Sequence, residues 1–293
     1  MTVKINKSLM DLHPRELKGV VLDIPTLPVI YQELFAKMQN PDVGVPEIAE
    51  IISLDQALAT KVLHLVNSAF YGYSKQIKTI SRAVVILGFQ AVRSAALAIS
   101  VFDYFKDEES SANVDMRRFW EHSIAVAAIS KVLAASHLQK QQEEAFIVGL
   151  LHDVGKLIEK RYFPDDFDEV CTAAAQQHLS WYECEKQLFN LNHAGIGATL
   201  FRAWNFPPSV VEVVRKHHSP ETAMTHSQLA SLVHVADYIS YEMELGAPGA
   251  YPPNSCDPAA LSLLNLDLEQ LSTHQDRIDE EISRALEILK LVE

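Results

Sequence analysis

"AFIVGLLHDVGK", residues 145–156, is the stretch on which the reading of this chain turns. Its apolar run belongs in a protein interior, yet it leads straight into His152 and Asp153, groups seldom buried without a partner. Either the two residues cap or bridge neighbouring helices, or they hold a metal ion. The pattern around them has to decide.

Outward from that stretch, apolar residues recur three and four positions apart. β-Branched alternation is scarce, and 293 residues include only 10 glycines, so the spacing predicts an all-α chain. Helices are expected from about Met116 to Ala135 and from Glu143 to Lys160, then around Cys171, Ala194, Val210 and Leu232, with "FPDDFDEV" (163–170) as a loop. "ELGAPGAYPPNSCDP" (244–258) reads as a Gly/Pro loop. After it, Leu271, Ile278, Ile282, Ala285 and Leu289 form a stripe that either packs on its own domain or pairs two chains as a homodimer.

Towards the N-terminus, Thr26 caps a helix closed by Pro41, two short helices follow with a break near Ser53–Asp55, and two more are punctuated at Gly88. The polar run "KDEESSANVD" (106–115) marks the joint between a smaller helical lobe, 1–110, and a second lobe, 111–293.

Bulk chemistry narrows the function classes. A formal charge of −13 argues against DNA and against an anionic membrane surface, both of which need clustered Lys and Arg. Three cysteines without CxxC spacing suggest neither a disulfide framework nor a zinc ribbon. With no signal-peptide core and no apolar run of membrane-spanning length, a cytoplasmic protein is expected.

Ionisable groups then stand out on apolar helix faces. His122 shares its face with Ala125, Val126, Ile129 and Val132; His193 shares its face with Ile196, Gly197, Leu200 and Trp204. His217 and His218 follow Val210 and Val214, and Asp237 lies below Ala230 and Val233. Singly, each is most simply a hydrogen-bonded core residue. Together with His152 and Asp153 they cannot easily satisfy one another, because a neutral imidazole has one donor and one acceptor. A shared divalent cation resolves this, and His/Asp ligation suits Fe, Mn, Ni or Zn. His13, His64, His137, His178, His226 and His274 lack such clustering, and His234, one turn before Asp237, is placed as a supporting partner.

The order His122, His152-Asp153, Asp237 resembles the metal signature of the HD superfamily of phosphohydrolases. His193 and His217-His218 are similar to the extended ligand set of the HD-GYP cyclic dinucleotide phosphodiesterases, although "SPETA" follows where those enzymes carry "GYP", and Arg118 stands where some relatives carry a glutamate ligand. The first lobe resembles the HDOD (HD-related output domain) family through Leu27-Pro28, the "NSAFYG" segment from Asn67 and the Leu87-Gly88 step, over about residues 24–220. That resemblance implies an all-helical bacterial signalling module, an HD-like bundle preceded by a smaller lobe.

The HD resemblance further implies one or two ions. His122, His152, Asp153 and Asp237 would hold the first, and Asp153 would bridge to a second at His193, His217 and His218. Asp153 and Lys156 are the implied catalytic residues, Lys156 contacting a phosphate oxygen unless it is simply a solvated lysine. Arg82, Arg93, Arg118 and Arg202 read better as surface arginines than as phosphate contacts. Two functions stay open: a phosphohydrolase acting on a nucleotide or other phosphorylated ligand, and a scaffold that binds a signalling protein in trans with the metal only bracing its helices.

Overall fold

The computed structural model describes residues 8–10, 12, 29–38, 43–68, 71–73, 75–105, 115–245, 255–267 and 274–291. His13, Thr26, Leu27, Pro28, Pro41, Leu271, segment 106–114 and loop residues 246–254 lie outside the described residues. Among those described, every regular element is helical.

Towards the N-terminus, α1 (Val29–Met38), α2 (Val45–Leu54) and α3 (Gln56–Val66) precede α4 (Ile80–Leu87) and α5 (Phe89–Phe105). Asp55 makes the expected break, since its carboxylate accepts the N–H groups of Ala57 and Leu58 and so starts α3. Asn67 staples the end of α3 to the returning chain: its amide donates to the carbonyls of Leu63 and Ile77, and its oxygen accepts the Ile77 N–H. Gly88 separates α4 from α5 at φ +90°, a conformation that strains any side chain.

Further along the chain come α6 (Met116–His137), α7 (Gln142–Leu151), α8 (Val154–Tyr162), α9 (Pro164–Gln177), α10 (Trp181–Leu188), α11 (His193–Ala203), α12 (Pro208–Lys216), α13 (Ser227–Glu242), α14 (Pro258–Leu264) and α15 (Gln275–Ala285). Four features depart from the sequence reading. The helix expected over 143–160 is two, because Asp153, at φ −98° and ψ 5°, breaks it after His152. Periodicity hid the break because both halves bury their apolar residues. "FPDDFDEV" is helical rather than a loop: Pro164 opens α9, with Asp165 and Asp166 in the first turn, where a fixed φ and negative charge favour initiation. Helix α10 was unread, although Ser180 and Glu183 form a capping box at its start. Helix α14 lies partly within the expected Gly/Pro loop, started by the Asp257 cap and Pro258.

Packing centres on α6, which lies against α7, α13 and α15. At Gly149 the backbones of α6 and α7 nearly touch, since an added Cβ would lie 2.9 Å from the Ala127 Cα. Helix α5 rests on α7, and one apolar core runs from α1 to α15. Ile278, Ile282, Ala285 and Leu289 of the C-terminal stripe are buried, with α15 seated on α6 of the same chain. Cys171, Cys184 and Cys256 are buried and free. No helix among the described residues is long and apolar enough to cross a membrane.

Lys131 clamps this packing. Its ammonium lies 2.9 Å from Glu281 on α15 and 3.7 Å from Glu143 on α7, with the Tyr71 and Phe146 rings within 6.0 Å. Lys131→Ala leaves two carboxylates crowded together and should cost about 3 kcal/mol in urea unfolding. Glu281→Gln, which relieves the crowding, should cost at most about 1 kcal/mol. Coincident unfolding curves for Lys131→Ala and wild type would remove the clamp from the account.

Candidate metal centre

Five chain segments bring the expected ligands together. His122 projects from α6, His152 and Asp153 form the α7–α8 break, His193 opens α11, His217 and His218 occupy the turn after α12, and Asp237 projects from α13. His122, His152, His193 and His217 are fully buried, with Asp153 1% and Asp237 5% exposed.

Asp153 is the hub. Its Oδ2 lies 3.4 Å from His152 Nε2, 3.6 Å from His122 Nε2 and 2.6 Å from Lys156 Nζ. Its Oδ1 faces the other way, 3.2 Å from His193 Nε2 and 3.9 Å from His217 Nε2. Asp237 Oδ1 completes the first side, 3.3 Å from His122 Nε2 and 3.7 Å from His152 Nε2. On the second side, His193 Nε2 is 3.3 Å from His217 Nε2 and 3.0 Å from His218 Nε2. Two clusters with metal-ligand spacing therefore share Asp153: one with His122 and His152, the other with His193, His217 and His218.

The ring orientations explain why these atoms converge. Nδ1–H of His122 donates to the Leu245 carbonyl at 3.0 Å, that of His152 to Gly149 at 2.7 Å, and that of His217 to Val214 at 2.8 Å. Each bond leaves the Nε2 lone pair aimed inward, the tautomer a metal ligand needs. His122 Nε2, His152 Nε2, Asp153 Oδ1 and Asp237 Oδ1 are buried with no hydrogen-bond partner. Orphans of this kind are costly; His122 Nε2, His152 Nε2 and Asp237 Oδ1 gather on the first side and fit a cation there, while Asp153 Oδ1 faces the second side.

Electrostatics agree with that fit. Burial works against a charged His122, but the carboxylates of Asp153 and Asp237, 3.6 and 3.3 Å from its Nε2, outweigh it and raise its pKa to about 9. Burial would raise Asp237, yet His122 and His152 hold it at about 2. His217 and His218 are driven well below the usual histidine range by burial and by neighbouring imidazoles. The cluster thus favours positive charge between its carboxylates while keeping several imidazoles neutral.

Lys156 is not a solvated lysine. It is 7% exposed, bonded to Asp153, with its ammonium 5.7 Å from the centre of the Trp181 ring. His234 supports the turn that carries His217: its Nδ1–H donates to the His217 carbonyl at 2.8 Å, and its Nε2 accepts the Asp257 N–H at 3.0 Å. Arg82, Arg118 and Arg202 are exposed. Sequence reasoning missed Glu185, Glu159, Trp181 and Tyr182, all on or beside the unread α10. The capping box was the available signal: starting a helix at Trp181 places Glu185 one turn on, along the same inward face. Tyr182 stacks on His218 with ring centres 4.3 Å apart.

The described helices thus gather four buried histidines, the half-buried His218 and two buried aspartates from separate segments. The HDOD domain family model matches residues 24–220, and the chain belongs to that family. It is 28% identical over 250 residues to an uncharacterised protein of Treponema pallidum, covering 85% of this chain and 47% of the relative. Over 119 residues it is 34% identical to ribonuclease Y of Mycoplasma mycoides, 41% of this chain and 21% of that protein. The chain thus spans less than half the length of these relatives. A proposed phosphohydrolase from Shewanella amazonensis SB2B has a solved structure that superposes with a TM-score of 0.75 at 28% identity, over 96% of this chain and 99% of that one.

Proposed function

We propose that this chain is a metal-dependent phosphohydrolase acting on a phosphodiester or nucleotide. The observation that carries the reading is a set of buried, unpartnered ligand atoms on both sides of Asp153: His122 Nε2, His152 Nε2 and Asp237 Oδ1 on the first, Asp153 Oδ1 facing the second. His122, His152 and Asp153 would hold one ion, with Asp237 beside His122 and His152, and Asp153, His193, His217 and His218 a second. Bound there, divalent ions supply Lewis acidity and an acidified water for attack at phosphorus.

The chain's own groups do the rest. Asp153 links the halves, so both are set by one backbone break. Lys156, held by Asp153 and the Trp181 face, presents N–H donors to a phosphoryl oxygen. The partly exposed His218 and Tyr182 mark the solvent side, while burial of the remaining ligands excludes bulk water. The likenesses to a ribonuclease and to a proposed phosphohydrolase support phosphoryl chemistry.

The depth of the centre favours one other reading. With four ligand imidazoles at 0% exposure, the ion would brace α6, α7, α11 and α13 in a signalling scaffold that engages a protein partner. Turnover separates the two. Metal-stripped protein reloaded with Mn²⁺ should hydrolyse at least one of a phosphomonoester, a linear phosphodiester and a cyclic nucleotide, and His152→Ala should lose about a hundredfold or more of that rate. Equal background rates for both proteins leave only the scaffold.

A further inference from the structure

The two halves of the centre are braced differently. His122, His152 and His217 hang from main-chain carbonyls, whereas His193 is held by a side chain. Glu185, fully buried, accepts the His193 backbone N–H on one oxygen and the ring Nδ1–H on the other, both at 2.7 Å. His193 is the first residue of α11, so its N–H has no partner within the helix, and the helix dipole favours a carboxylate there. Because both Glu185 oxygens accept, the ring has one tautomer only, with the Nε2 lone pair turned to Asp153, His217 and His218.

Glu159 backs this arrangement. It is 1% exposed, and one of its oxygens accepts the Trp181 indole N–H at 3.4 Å. Burial and the neighbouring Glu185 push the Glu159 carboxyl well above the usual carboxylate range.

We infer that Glu185 is the positioning residue of the second half of the centre: by fixing the His193 tautomer it decides whether Asp153, His193, His217 and His218 can take an ion. The half built from His122, His152, Asp153 and Asp237 does not depend on it. The inference rests on the metal-centre reading above and extends it to a residue that touches no ion.

Glu185→Gln tests it. Glutamine has one acceptor and one donor where the native side chain has two acceptors. Either an N–H of His193 is left unpaired, or the ring shifts its proton to Nε2 and blocks ligation. Titration of Mn²⁺ into the metal-stripped full chain should show two binding classes for wild type, with the second weakened about tenfold to a hundredfold in Glu185→Gln and the first unchanged. Glu185→Asp, which keeps two acceptors and the charge, should recover part of the loss. Glu159→Gln, which leaves both Glu185 acceptors on His193 in place, should bind as wild type does.

A second readout needs no metal. Nitrogen-15 side-chain spectra of the histidines, with His193→Ala providing the assignment, should show Nδ1–H at His193 in wild type and its loss in Glu185→Gln. Unchanged second-class binding in Glu185→Gln overturns the inference, as does an equal loss in Glu185→Asp. A wild-type chain that takes up no ion defeats the metal reading instead, and the spectra still show whether Glu185 sets the tautomer.

Discussion

Gly155→Ala will unseat the metal centre without touching a ligand. A Cβ at this position would lie 1.9 Å from the carbonyl oxygen of His193 and 2.8 Å from its Cα. Real Cβ contacts essentially never fall below 3.0 Å, so α8 and α11 would have to part by more than 1 Å. The obstacle is main chain on main chain, which cannot rotate away as a side chain would. Overpacking of this kind costs about 3 kcal/mol, or roughly 5–10 °C in Tm for a chain of this size. It also moves Asp153 away from His193, two groups now 3.2 Å apart. Retained metal should fall below about a tenth of wild type. Gly195→Ala is the control: it lies in the same turn of α11, where the added Cβ makes only an ordinary 3.4 Å contact with Asn192 Oδ1. That variant should keep its metal and its Tm. A Gly155→Ala protein with wild-type Tm and metal content would mean the helices are not in the register described.

Asp153→Asn is expected to empty both halves at once. The Asp153 oxygens divide between the two clusters, so replacing the carboxylate removes a negative ligand from each. His218→Ala, by contrast, alters the second half alone. Elemental analysis of purified protein should give under about a tenth of the wild-type metal for Asp153→Asn, and loss of only the second ion for His218→Ala. The folded chain suffers separately, because Lys156 is left as a buried ammonium without its carboxylate, a loss of about 3–5 kcal/mol. Double replacement with Lys156→Met should recover much of that stability and none of the metal. Undiminished metal in Asp153→Asn would refute the shared-ligand arrangement.

Most of the fold was legible because helices announce themselves through a period of 3.6 and through caps. Asp55 and Gly88 marked their breaks in plain sequence. The break at His152–Asp153 was not legible, since the apolar pattern continues across it and only tertiary contacts favour the turn. In the site, all seven predicted ligands converge, because charged groups on apolar faces are conspicuous when counted together. Lys156 is buried against Asp153, a pairing that depends on the unread break. Glu185 and Glu159 stayed hidden for a different reason. Glu185 on the short, polar α10 looks like solvated surface until that helix is placed, and Glu159 shows its role only when Trp181 of α10 is seen donating to it.

The main-chain bracing of His122, His152 and His217 has a consequence for how the protein tolerates mutational drift. A peptide carbonyl accepts a hydrogen bond whatever side chain its residue carries, so neighbours of these rings can be exchanged without turning them. The ring clasped by Glu185 enjoys no such indifference: one codon change in α10 releases it. As related sequences diverge, the His193 end of the constellation should fail first and the His122–His152 end should survive longest.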